Sequence, residues 1–147
     1  PAPQLARKRG TNPTMTTATP PHKKSEIARQ LQIFKDARKL IASPKAWIQG
    51  RSKWRQARTV KGKLVVVDCY CARGAIDQAA TGDPHHEAHD DLYATFCEYS
   101  GVDRLAKPPT LYLPSRIHTW NDNTNTRKRD VLEAFDNVIA ALESKLA

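Results

Sequence analysis

Apolar positions recur along this chain with two different periods, and the change of period marks out the elements. From Ser25 to Ser43, Ile27, Leu31, Phe34 and Ile41 fall on one helical face, with Ile33, Ala37 and Leu40 beside it. Ser25 is placed to cap this helix, Glu26 suits the positive end of its dipole, and Pro44 ends it. The same period returns near the C-terminus. There Val131, Phe135, Val138, Leu142 and Leu146 make one stripe, flanked by Leu132 and Ile139. These two helices are expected to pack on a sheet through Leu31, Phe34, Phe135 and Ile139.

Between them the period shortens. Lys63 to Val67 is a short β-branched run that predicts a buried strand, and Gln56 to Val67 predicts a hairpin turning at Lys61-Gly62. A helix pattern follows at once in Ala72, Ala75, Ile76, Ala79 and Ala80. Asp68 is its expected N-cap and Gly82 its expected stop. Gly74 inside that helix costs about 1 kcal/mol against alanine, which a close crossing would justify. Asp83-Pro84 opens a further helix to about Tyr99, with Leu92, Phe96 and Tyr99 inward and Gly101 beyond its end. Pro108, Pro109 and Pro114 make Val102 to His118 a loop, with a short strand near Leu111-Tyr112-Leu113. The pattern as a whole predicts an α+β fold: a small single domain over residues 25–147, about four helices with a short β-hairpin. A disordered basic N-terminal arm, rich in proline and threonine, precedes it over residues 1–24.

Charge changes the picture more than composition does. The chain has 147 residues and a formal net charge of +9. Residues 1–63 hold 16 of the 24 Lys and Arg but only two acids, Glu26 and Asp36, while residues 64–147 hold the other 13 acids. Such a split predicts one arm or face that meets polyanions, either nucleic acid or an acidic protein surface. The candidate contacts are Arg7, Lys8 and Arg9 in the arm, then Arg51, Lys53, Arg55, Arg58, Lys61 and Lys63. Trp54 lies among the latter group, where it could stack on a base. No helix-turn-helix, zinc-finger or RNP pattern accompanies them. No apolar run approaches the ~20 residues of a membrane span, so no membrane association is expected. Three cysteines are an odd number, which argues against a disulfide framework and for a reducing cytoplasm.

Two clusters invite chemistry. Cys71 near a helix start, His118 as base and Asn121 or Asp122 as orienting group follow the chain order of a cysteine hydrolase. The competing reading has Cys71 as a small apolar thiol filling a strand–helix junction, buried and unreactive, with Asn121 and Asp122 satisfying backbone amides. His85, His86, His89 and Asp90 would pair across one helix face. Their spacing is not that of a zinc-binding H-E-x-x-H motif, so a solvated helix start is expected, with no metal and no cofactor.

Three short motifs stand in order: Trp47-Ile48-Gln49-Gly50, then Cys71-Ala72-Arg73-Gly74-Ala75-Ile76, then Trp120-Asn121-Asp122 before a helix with Val131-Leu132. The trio resembles an uncharacterised bacterial and phage family of unknown function with the motifs W-x-Q-G, C-A-x-G-A-[LI] and W-N-D. It covers about Ala37 to Leu142. Arg73 stands where the family pattern has an apolar residue, Cys69 is extra, and the basic arm and the Arg51–Lys63 stretch lie outside the pattern. The resemblance implies a small α+β domain with Trp47, Gln49, Gly50, Gly74, Trp120, Asn121 and Asp122 as structural positions, and it implies no activity. The reading that follows is a non-catalytic accessory or interaction protein contacting nucleic acid or an acidic partner through its basic N-terminal half. A small cysteine hydrolase is the alternative.

Overall fold

Two 19-residue helices carrying the periodic apolar stripes lie against one another and form the body of the molecule. The computed structural model describes residues 20–86, 88–102 and 113–147. In chain order the elements are α1 (Lys24–Ala42), β1 (Lys53–Val60), β2 (Lys63–Tyr70), α2 (Ala72–Thr81), α3 (Asp90–Ser100), α4 (Leu113–Asn121) and α5 (Lys128–Leu146). The fold is a small α+β domain, with five helices and one antiparallel hairpin among the described residues. The proposed arm falls largely on residues 1–19, which lie outside the described residues, as do Arg7, Lys8 and Arg9.

The core is aromatic at its centre. Phe34 of α1, Phe96 of α3 and Phe135 of α5 meet with ring centroids 5.0–6.4 Å apart, and Trp120 of α4 joins Phe96 at 5.9 Å. Around them Ile27, Leu31, Ile41, Ile76, Leu92, Ile117, Val131, Val138 and Leu142 are buried. The long helices therefore pack on each other and on α3, not on a sheet as expected. The reason is that the sheet has only two strands, and its apolar residues mostly point away from the body.

That last point overturns the buried strand. In β2 Leu64 is 72% exposed and Val66 54%, and in β1 Val60 and Trp54 are 42% and 44% exposed. Only the end of β2, at Cys69 and Tyr70, enters the core. The turn does fall at Lys61-Gly62, with φ of 51° and 77°. Two successive left-handed residues give the tight two-residue turn whose twist matches the strands.

Four element ends differ from expectation. β2 runs through Asp68 to Tyr70, so Asp68 is a strand residue and Cys71 caps α2 instead. Ser25 lies inside α1, whose N-cap is Lys23. Asp83-Pro84 starts a turn, in which Asp83 Oδ1 accepts from the His85 amide, and α3 begins only at Asp90 with His89 as N-cap. Leu113 to His118, expected as loop, belongs to helix α4. Pro114 occupies its first turn, where a missing N–H costs nothing, so this proline starts a helix instead of breaking one. The expected short strand is thereby corrected at Leu113, while Leu111 and Tyr112 lie outside the described residues.

Leu142 is fully buried on the α5 stripe. Leu142→Ala is expected to cost about 2–5 kcal/mol, read as a lower denaturant midpoint at unchanged slope.

Candidate functional site

The three motifs converge on one side chain. Asn121, at the last position of α4, is fully buried. Its Oδ1 accepts from Trp47 Nε1 at 2.8 Å and from the Ala72 amide at 2.9 Å. Its Nδ2 donates to the Ile48 carbonyl at 3.1 Å and to Asp122 Oδ1 at 2.9 Å. Two acceptor and two donor places are the whole capacity of a carboxamide, and all four are filled. Gln49 Nε2 donates to the carbonyls of Asn121 and Asn123, both at 2.9 Å, and Gly50 N donates to Asp122 Oδ1 at 2.9 Å. Motifs more than 70 residues apart are thus clasped together by side chain to backbone bonds.

The middle motif is pressed against the same junction. The Cys71 amide donates to the Ser52 carbonyl at 3.3 Å. A Cβ on Gly74 would overlap that carbonyl, so the helix can approach the chain here only without a side chain. This close crossing is the justification that a glycine inside α2 requires.

Beneath the clasp lies a buried charged network that the sequence reading left out. Arg73 and Asp77, one turn apart on α2, are both buried and form an ion pair. Arg73 also donates to Ser52 Oγ, and its Nε donates to His118 Nε2 at 2.7 Å. Asp77 accepts from the Tyr93 hydroxyl of α3, which is also 3.1 Å from the His86 carbonyl. A buried ion pair is tolerated only when further hydrogen bonds satisfy its remaining groups, and here they do. Burial, reinforced by the hydrogen bond to Asp77, pushes the Tyr93 hydroxyl well above the ordinary tyrosine range. The available signal was Arg73 and Asp77 four apart on a helix, with only Gly74, Ala75 and Ile76 between them. Two such charges on an otherwise buried helix must find each other.

The hydrolase residues are placed for packing. Cys71 is buried, and its Sγ accepts from the Gly74 amide as the α2 cap. Burial pushes its thiol up, against the smaller pull of the Gly74 N–H and Arg73. Burial raises Cys69 likewise, and its Sγ donates to the Lys45 carbonyl at 3.0 Å. His118 Nε2 is engaged with Arg73, and Asn121 has no capacity left with which to orient a histidine. His85 and His86 precede α3 instead of sharing its face with His89 and Asp90, so the pairing across one helix does not form. Among the described residues no group of three or more His, Cys, Asp or Glu is arranged to hold a metal.

The cations divide into two sets. On α1, Arg29 pairs with Asp91 at 2.6 Å, Arg38 with Asp136 at 2.6 Å, and Lys35 with Glu143 at 3.4 Å. Three carboxylates from the acidic half of the chain therefore pair with the first helix. The hairpin is different. Between residues 51 and 70 there are six Lys and Arg and one acid, Asp68, which pairs with Arg55 at 2.8 Å and with Lys53 at 3.9 Å. The Arg55 hydrogen bond holds the Asp68 carboxyl below its usual range. Among the described residues Arg51, Arg58, Lys61 and Lys63 have no ion-pair partner, and the shielded Arg58 Nε has no acceptor. The Arg51 guanidinium lies over the Trp54 ring, 4.1 Å from its centroid.

A small helical body clasped at Asn121, with one projecting basic hairpin, is the class that the architecture defines. The chain belongs to a family of unknown function, DUF6197, whose model matches residues 27–141. The match includes α1 and the hairpin as well as the three motifs. No curated protein and no solved structure matches the chain. Among the described residues no helix is long and apolar enough to cross a membrane.

Asn121→Ala leaves the half-buried Trp47 indole N–H and the buried Ala72 amide without their acceptor and is expected to cost about 2–5 kcal/mol in a urea titration. Cys71 is expected to alkylate slowly in the native protein near neutral pH and quickly once denaturant is added, as read by mass spectrometry. Stability should fall as pH rises above about 8.5, the ordinary thiol range. The buried thiols and Tyr93 keep their protons in the folded state while the unfolded chain releases its own, so high pH favours unfolding. Urea midpoints compared at neutral and alkaline pH check the sign.

Proposed function

We propose that this is a non-catalytic accessory protein, of the bacterial or phage type, that contacts nucleic acid through its basic hairpin. The observation carrying this reading is the clustering of uncompensated cations at the hairpin: Arg29, Lys35 and Arg38 of α1 face carboxylates of α3 and α5, whereas Arg51, Arg58, Lys61 and Lys63 meet none among the described residues. A run of uncompensated cations raises the local potential and draws a polyanion whose counterions are released on contact. Exposed Trp54 adds an amphipathic aromatic surface beside them. The three buried cysteine thiols fit a reducing compartment, the cytoplasm. The hydrolase alternative lacks comparable support, because its nucleophile is buried with a raised pKa and its orienting group is fully engaged.

Binding to nucleic acid is expected to weaken steeply with salt. Each of Arg51→Ala, Arg58→Ala, Lys61→Ala and Lys63→Ala should lower the slope of log affinity against log salt by about one. Arg29→Ala and Arg38→Ala should leave the slope unchanged. Fluorescence anisotropy with labelled oligonucleotides reads all six variants. Binding that ignores salt, or that depends equally on both sets, contradicts the proposal.

A further inference from the structure

The hairpin's two faces differ, and the difference points to a particular nucleic-acid form. Strand register puts Lys53 opposite Tyr70, Arg55 opposite Asp68, Ala57 opposite Val66 and Thr59 opposite Leu64 on one face. Toward the turn this face is wholly apolar apart from one hydroxyl, and Ala57, Thr59, Leu64 and Val66 are all exposed on it. Toward the body it ends in Lys53, Arg55 and the Asp68 that both pair with, and the turn residue Lys61 lies at the tip. An exposed apolar face backed by Arg58 and Lys63 on the opposite face, with Lys61 at the tip and an ion-paired Lys53–Asp68–Arg55 group at the base, suits a ligand with apolar features between two anionic walls.

We propose that the hairpin lies in the major groove of duplex DNA, with the Ala57, Thr59, Leu64 and Val66 face toward the base edges. Lys61 at the turn, and Arg58 and Lys63 from the opposite face of the ribbon, then reach the flanking phosphates past its edges, while Lys53 and Arg55 stay with Asp68. This rests on the nucleic-acid reading above and narrows it. A two-stranded ribbon fits the ~12 Å major groove of B-form DNA, where thymine methyls offer apolar contact to alanine, threonine and larger apolar side chains. At about 3.3 Å per residue the eight-residue strands span roughly 26 Å, enough to follow several base pairs. Duplex RNA is excluded by its deep, narrow major groove. Single strands are held on stacked aromatic platforms. This ribbon offers only Trp54, one face of which Arg51 covers, because Tyr70 is buried. A second copy of the chain would bring like-charged hairpins together.

The test is anisotropy of the full chain at low salt with an A·T-rich DNA duplex, its single strand, the matching RNA duplex, and a DNA duplex with uracil for thymine. The DNA duplex is expected to bind at least about tenfold tighter than the single strand or the RNA duplex, and the uracil duplex several-fold weaker than its thymine parent. Leu64→Ser and Val66→Ser lie on an exposed surface. With circular dichroism unchanged, they should weaken duplex binding about tenfold or more and erase the thymine–uracil difference. Equal affinity for all four nucleic acids overturns the groove placement while the polyanion reading stands. Binding to none of them, or only to vesicles of anionic phospholipid, overturns both.

Discussion

One buried carboxamide ties this molecule together. Asn121 lies at the end of α4, where a helix runs out of backbone partners, and its four hydrogen bonds reach the loop after α1, the start of α2 and its own neighbour Asp122. The aromatic cluster supplies most of the apolar burial but is non-directional, and it would tolerate some sliding of α1 against α5. The clasp does not. It fixes the Trp47–Gly50 loop to the end of β2 through Tyr70, whose amide donates to the Ala46 carbonyl at 2.7 Å and whose carbonyl accepts from the Ile48 amide at 3.1 Å. The hairpin projects from that anchor, so its direction depends on the clasp.

Charge follows the same division of labour. Ion pairs as exposed as Arg29–Asp91 and Arg38–Asp136 contribute little stability each. Their effect is to offset Arg29 and Arg38 on α1, while Arg51, Arg58, Lys61 and Lys63 at the hairpin have no ion-pair partner among the described residues. The Arg73–Asp77–Tyr93 network is the opposite case: buried charges that must stay together, since separating them would leave an uncompensated ion in the core. Arg73 is buried inside α2, and Asp77, His118 and Ser52 are the groups that accommodate it.

Legibility in the sequence followed the physics of each signal. The stripes of α1 and α5, the Lys61-Gly62 turn and the glycines ending α2 and α3 could be read directly, because periodicity and left-handed φ are local properties. The exposure of Val66 could not, since a β-branched run is the same whether its strand is central or lies in a free ribbon. Pro114 misled because proline breaks a helix interior but suits a first turn, and the Leu113, Ile117, Trp120 spacing was the better guide. The motifs were visible as words, yet their meeting at Asn121 spans more than 70 residues of chain, and only folding brings them together.

Hydrogen exchange read by mass spectrometry, with and without duplex DNA, tests most directly whether a rigid clasp presents the hairpin to nucleic acid. In the free protein the amides at Tyr70 and Ala72, bonded into the junction, should be among the slowest to exchange, and those of the hairpin near its turn among the fastest. DNA should slow exchange across Lys53 to Val67 and leave α5 unchanged. Protection centred on α1 or α5, or fast exchange at the junction amides in the free protein, would contradict the account.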